Sequence, residues 1–182
     1  MKRLVIDTET TGLSPTHNQI LTIGMILIEI EKKQLKVLEE IHIFIKHDNY
    51  SSNKKALKVN GINLEEHDKI GISPREACKQ INNFITKNVL QDTPLVGHNI
   101  SFDKRFINAL FDIGESFSKL HHESEDTMFI WRNLKNNGKV PKELDSKLGT
   151  VAKFFNINYE KAHDALADCH ITAKVYHELL NV

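Results

Sequence analysis

A layered fold of the α/β or α+β class is the architecture this sequence predicts, and three features predict it. The first 45 residues hold three consecutive aliphatic runs separated by polar or glycine-containing breakers, the pattern of successive strands. Beyond them the apolar spacing changes to helical periodicity behind clear helix-start signals. The chain is also long enough, at 182 residues with 40% hydrophobic and 26% charged, to bury one sizeable core.

The first run, Leu4-Val5-Ile6, leads into Asp7-Thr8-Glu9-Thr10-Thr11-Gly12, a strand closed by a breaker. A polar loop covers residues 14–19. Residues 20–30 read as a long strand, 31–34 as a turn, and 35–45 as a third strand antiparallel to the second. Residues 54–59 form one or two helical turns ending at Gly61. Ser73-Pro74-Arg75-Glu76 is a helix start with Ser at the cap and Pro in first position; Ala77, Ile81, Phe84 and Ile85 continue it. Residues 94–97 read as a short buried strand, and Ser101 is expected to cap a helix carrying Phe102, Phe106, Ala109 and Leu110. A short strand precedes Asp126. Helices follow over 127–134, 148–155 and 164–180, with a polar loop across 136–147.

Composition narrows the function classes. The formal net charge is zero, which gives no support to a broad phosphate-binding surface but permits a local groove. Cys78 and Cys169 are far apart and lack metal-type spacing, so a reduced, cytoplasmic setting is expected. No signal peptide fits, and the longest apolar run, residues 20–28, is too short to cross a bilayer. No repeat, linker or low-complexity tract divides the chain, so residues 1–182 read as a single domain.

Chemistry concentrates in three segments. Side chains alternate along a strand, so Asp7 and Glu9 point to one side. Like charges that close raise each other's pKa unless a cation settles between them, and hard oxygen ligands suit Mg²⁺ or Mn²⁺. His98-Asn99-Ile100-Ser101-Phe102-Asp103 follows a strand and opens a helix. Taken alone, Asp103 there reads as ordinary complementation of a helix dipole. His163-Asp164-Ala165-Leu166-Ala167-Asp168 is the third. On one continuous helix His163 and Asp168 diverge by about 140°, so they share a centre only if His163 sits on the loop before it. Asp164 then caps the helix. Otherwise His163 is a surface histidine, and Asp168 a residue at the margin of an apolar stripe through Leu166, Ala173 and Leu180.

Together, in this order, the three segments resemble the motifs of the DEDD exonucleases in their His variant (DEDDh), the group of the polymerase III epsilon subunit, ribonuclease T and oligoribonuclease. The likeness spans nearly the whole chain. Leu57-Lys58-Val59-Asn60-Gly61-Ile62 and Leu148-Gly149-Thr150-Val151-Ala152-Lys153 extend it. The resemblance implies a ribonuclease-H-like fold, with a five-stranded mixed sheet and helices on both faces, forming a single exonuclease domain over 1–182. It implies two divalent cations, Mg²⁺ or Mn²⁺, held by Asp7, Glu9, Asp103 and Asp168. In that scheme Asp7 bridges, Glu9 and Asp168 complete the nucleophile-side site, and Asp103 serves the second. His163 is the implied general base. Thr10 and Leu13 are expected to touch the terminal sugar and base, with Asn60 and Asn99 as further substrate contacts. Asn60 stands where many relatives carry His, and Leu13 reads equally as core. The implied reaction removes nucleoside 5′-monophosphates from the 3′ ends of single-stranded DNA or RNA. Lys54, Lys55, Lys58, Lys104 and Arg105 are either phosphate contacts or solvated faces. Two rival readings are a non-catalytic or proofreading module that binds a DNA polymerase, and a phosphatase with Asp7 as nucleophile.

Overall fold

The computed structural model describes residues 1–31, 34–116, 119–159 and 163–182. Five strands form one sheet: β1 (Lys2–Thr10), β2 (Ile20–Glu31), β3 (Gln34–Phe44), β4 (Leu95–Gly97) and β5 (Ser124–Asp126), in the order β3-β2-β1-β4-β5. β1, β2 and β3 pair antiparallel; β4 and β5 add in parallel on the far side of β1. The sheet is therefore mixed, the ribonuclease-H-like arrangement expected. Part of the turn expected over 31–34 lies outside the described residues.

Alternation along β1 assigns the two faces. Leu4 and Ile6 join the core cluster with α3 (Pro74–Lys87) and α4 (Ile100–Ile113), whereas Val5 packs with Cys169, Ala173 and Tyr176 of α7 (Ala165–Leu179). α5 (Thr127–Asn136) and α6 (Leu148–Phe154) pack outside α7 around the buried Trp131. Helices thus cover both faces, and burial of strands on both sides explains why β2 is apolar nearly throughout.

Local sequence accounts for most boundaries. α1 (Lys54–Asn60) is capped by the Asn53 side chain and stops at Gly61 in the left-handed conformation (φ 67°). α3 starts at the predicted Ser73-Pro74 signal. Two expectations need correction. α2 (Leu64–Ile70), capped by Asn63, was not expected; seven residues are too few to display periodicity. Ser101 does not cap α4. The cap is Asn99, in the left-handed region (φ 70°) with no side-chain cap bond, and the helix opens with the buried Ile100. Ile100 packs so closely over Gly97 that a Cβ there would lie 2.6 Å from its Cδ1. Both cysteines are buried free thiols. No helix among the described residues is long and apolar enough to cross a membrane.

Candidate active site

The chain leaves β1 in one direction to build β2 and β3, then returns to lay β4 on its other side. Carboxyl ends of the parallel strands β1, β4 and β5 therefore meet where the connection reverses, the place where open sheets bind ligands. Asp7 and Glu9 lie at that end of β1, Asn99 and Asp103 follow β4, and Asp126 ends β5. Pairing of β1 with β2 slips here: Glu9 faces Thr22 but Thr10 faces Ile20, leaving Leu21 as the extra residue. Such irregularities re-aim side chains beside sites.

Asp7 and Glu9 share the α7 side of β1 with Val5, as alternation requires. Asp7 pairs across the ladder with Gly24 of β2. A Cβ on Gly24 would lie 2.3 Å from the Ala165 carbonyl oxygen, so glycine is what lets the start of α7 settle on the sheet. The Cys169 thiol sits in the same contact, donating to Gly24 O at 3.2 Å. This approach brings Asp168, one turn into α7, over the strand end. Asp168 is buried at 5% exposure, not marginal; of the stripe expected, Ala173 is buried and Leu166 half-buried but Leu180 is exposed, and the buried face also takes in Ala165, Asp168, Cys169, Thr172 and Tyr176.

Thr8 points to the opposite face, where its hydroxyl donates to Asp103 Oδ1 at 2.7 Å. Asp103 is itself buried and cannot be read as a solvated first-turn residue. His163 lies on the loop before α7 with φ 68°, and its backbone N–H donates to Asp168 Oδ2 at 3.1 Å. Asp164 caps α7 by accepting from Ala167 N at 2.9 Å. Ligand atoms of Glu9, His163 and Asp168 all lie within 4.8 Å of one another.

The electrostatics of this cluster are adverse. Burial, then the charges of Asp103, Asp168 and Glu9, hold the Asp7 carboxyl well above the ordinary range. Burial pushes Glu9 up to about 8, with Asp168 acting the same way and the Asn60 amide opposing. Asp103 is raised to about 7 by burial against the pull of Thr8, and Asp168 to about 6 by burial against the His163 N–H. Among the described residues, Asp168 Oδ1 is buried without a hydrogen-bond partner. Converging acids and an orphaned carboxylate oxygen are what a divalent-cation site looks like before its ion, so the residues fit one. The oxygen-dominated donor set suits hard cations.

The remaining expected residues fall around this cluster. Thr10 is buried and its hydroxyl donates to Gly12 O at 2.6 Å. Leu13 is 76% exposed, which removes the core reading. Asn60 donates to Thr10 O at 3.1 Å and accepts from Ile62 N, so its amide ties α1 to β1 beside Glu9. Asn99 is exposed and its backbone N–H donates to Asp126 Oδ1 at 2.9 Å. Lys104 donates to His122 O and Arg105 to Ser101 O, so both cations have local partners.

Sequence reasoning passed over three contributors. Asp126 caps α5 through Met128 N and Phe129 N while holding Asn99. His98 bridges Thr127 Oγ1 and Ser146 O, each at 2.8 Å, and so links β4, α5 and the loop before α6. Tyr159 lies close enough to the cluster that Asp168, Asp7 and Glu9 add to burial in raising its hydroxyl to about 12. The Asp-Thr pair ending a short strand was a usable signal for Asp126. His98 opens the second of the three segments, although nothing local shows that it joins β4 to α5, and Tyr159 had no signal because the acids beside it are distant in sequence.

Comparison with known proteins agrees with this geometry. The RNase T family, described as exonuclease, matches residues 4–176. Ribonuclease T of Wigglesworthia glossinidia brevipalpis is 29% identical over 186 residues, covering 98% of this chain and 84% of that protein. PolC-type DNA polymerase III of Ureaplasma parvum is 29% identical over 181 residues, but this chain spans only 11% of it. Escherichia coli exonuclease I in complex with a dT13 oligonucleotide superimposes with a TM-score of 0.83 at 20% identity, covering 98% of this chain and 40% of that one. A zinc-bound form of that enzyme's single-stranded DNA complex gives 0.80 at 20% identity, over 97% and 40%. These structural likenesses show a common fold.

Proposed function

The chain belongs to the exonuclease family of ribonuclease T, and from that premise we propose that it removes nucleotides one at a time from the 3′ end of single-stranded DNA or RNA, using two divalent cations. The observation that carries this reading is the convergence of half-buried Asp7 and Glu9 from β1 with buried Asp103 from α4 and Asp168 from α7, with His163 at the open side. Residues 1–182 act as one exonuclease domain in this reading.

Four carboxylates without counter-charge would repel a phosphodiester. Asp7, Glu9, Asp103 and Asp168 would hold the cations, Mg²⁺ or Mn²⁺, which supply charge neutralisation, a more acidic water and stabilisation of the departing 3′ oxygen. His163 takes the proton of the attacking water on its ring nitrogen, its loop fixed by the N–H bond to Asp168. Thr8 fixes one Asp103 carboxylate oxygen through its hydroxyl. Leu13, exposed on the loop after β1, offers an apolar surface to the terminal base, and Thr10 and Asn60 brace that loop. Asn99 adds a polar contact from the head of α4.

PolC-type relatives carry the matching segment within a polymerase, which supports association with a polymerase as a second setting for the same activity. The test is incubation with oligonucleotides labelled at the 5′ end, as DNA and as RNA, with Mg²⁺, Mn²⁺ or chelator. A ladder shortening from the 3′ end, with 5′-monophosphate products and no reaction in chelator, is expected. Internal cuts, or identical ladders with and without metal, would overturn the proposal.

A further inference from the structure

Thr22 of β2 carries a buried polar group that the site described above leaves unused. The residue is 3% exposed, and among the described residues its Oγ1 has no hydrogen-bond partner. Burying a hydroxyl unpaired is unfavourable, so such a group calls for a physical reason. Its surroundings narrow that reason. Thr22 pairs with Glu9 of β1 on one side and with Phe44 of β3 on the other. Directly opposed residues share a face, with Cβ atoms about 4.5–5.5 Å apart. Phe44 offers no side-chain acceptor, and Gly24, the next β2 residue on that face, has no side chain. The Glu9 carboxylate is the acceptor that this register brings alongside. The pair is also the last regular one, because the ladder slips between Glu9 and Thr10.

Two other acids of the cluster already have such a donor. Thr8 Oγ1 donates to Asp103 Oδ1 at 2.7 Å, and the His163 backbone N–H to Asp168 Oδ2 at 3.1 Å. We propose that Thr22 is a positioning residue for Glu9: with a divalent cation in the acid cluster, its hydroxyl donates to the Glu9 carboxylate and fixes which oxygen is left for the cation. The inference deepens the two-cation reading above and rests on it. Partners of this kind, one bond removed from a cation, orient its ligands and tune their basicity. A competing account involves His42, whose Nε2 is also buried without a partner among the described residues. His42 faces Gly24 across the β2–β3 ladder and so lies diagonal to Thr22. One buried water between the two side chains would satisfy both and leave Glu9 out.

The test measures Mn²⁺ binding to the protein alone, from the electron paramagnetic resonance signal of the free ion. Thr22→Val keeps the side-chain shape and removes the hydroxyl, whereas Thr22→Ser keeps the hydroxyl. Thr22→Val is expected to weaken Mn²⁺ binding about 10–100-fold, and Thr22→Ser to retain the parent affinity. Cleavage of an end-labelled oligonucleotide should follow: Thr22→Val needs correspondingly more Mn²⁺ for its half-maximal rate and regains most of the parent rate at saturation. The denaturation midpoint in chelator reports folding. Should Thr22→Val not fold, Thr22→Ala takes its place in the comparison with Thr22→Ser. Parent-like Mn²⁺ affinity in Thr22→Val overturns the assignment, and a shifted midpoint in chelator would then point to the water shared with His42. Equal losses of affinity in Thr22→Val and Thr22→Ser overturn it too. A parent protein that binds Mn²⁺ yet leaves the oligonucleotide intact would instead refute the exonuclease reading, while the affinities of the two variants still decide the role of Thr22.

Discussion

Asp168 shows how each acid is held ready. One carboxylate oxygen accepts the His163 N–H, and the other is buried with no partner among the described residues. Replacing Asp7 by Asn is expected to abolish turnover while leaving the circular dichroism spectrum unchanged, as measured in the end-labelled assay. His163→Ala should lower kcat by about 10²–10⁴ with little change in KM, since it removes proton transfer alone. The raised carboxyls also set a pH dependence. Their folded-state pKa values stand above the unfolded ones, so the native protein keeps protons the unfolded chain has lost. In metal-free protein the stabilising contribution of these carboxyls is therefore fullest below the ordinary carboxylate range. It is lost as pH rises through about 6, 7 and 8, where Asp168, Asp103 and Glu9 give up their protons. Urea denaturation in chelator across that window, repeated with Mg²⁺, checks this: cation should restore the loss, and Asp7→Asn should reduce it. Asp7 and Glu9 were legible as a pair because residues two apart on a strand share a side, whereas Asp103, His163 and Asp168 became legible as one centre only through the resemblance carried by three segments in their order. Tyr159 was not legible, because the acids beside it are distant in sequence.

At the level of elements, the site depends on two close approaches. Gly24 lets the head of α7 rest on β2, and Gly24→Ala would drive a methyl into the Ala165 carbonyl. A cost of about 1–3 kcal/mol is expected from such overpacking, together with lost activity although Gly24 touches no substrate. Chemical denaturation and kcat measured on one variant check both. Asp126 joins the ends of β4 and β5 by accepting from Asn99, Met128 and Phe129 backbone N–H groups. Asp126→Ala should cost about 0.5–2 kcal/mol as a lost cap, read from the denaturation midpoint. Strands β1 to β3 and helix α3 were readable because aliphatic runs and a Ser-Pro start are local signals. The opening of α4 was not. Its cap residue is fixed by a carboxylate from another strand and by Ile100 closing over Gly97, both tertiary facts.

For the whole molecule, the order β3-β2-β1-β4-β5 puts every acid at one edge, where the chain reverses its direction of sheet building. Helices on both faces bury the strands, and the acids gather at the carboxyl ends of β1, β4 and β5. This layout suits a chain end entering from one side. The family's motifs were legible across nearly the entire sequence, and topology is what turns three separated segments into one centre. Anomalous diffraction from crystals soaked in Mn²⁺ tests the central claim most directly. Two peaks among the carboxylates of Asp7, Glu9, Asp103 and Asp168, about 3.5–4 Å apart, are the predicted result. Crystals of active protein with no peak among those four side chains would contradict it.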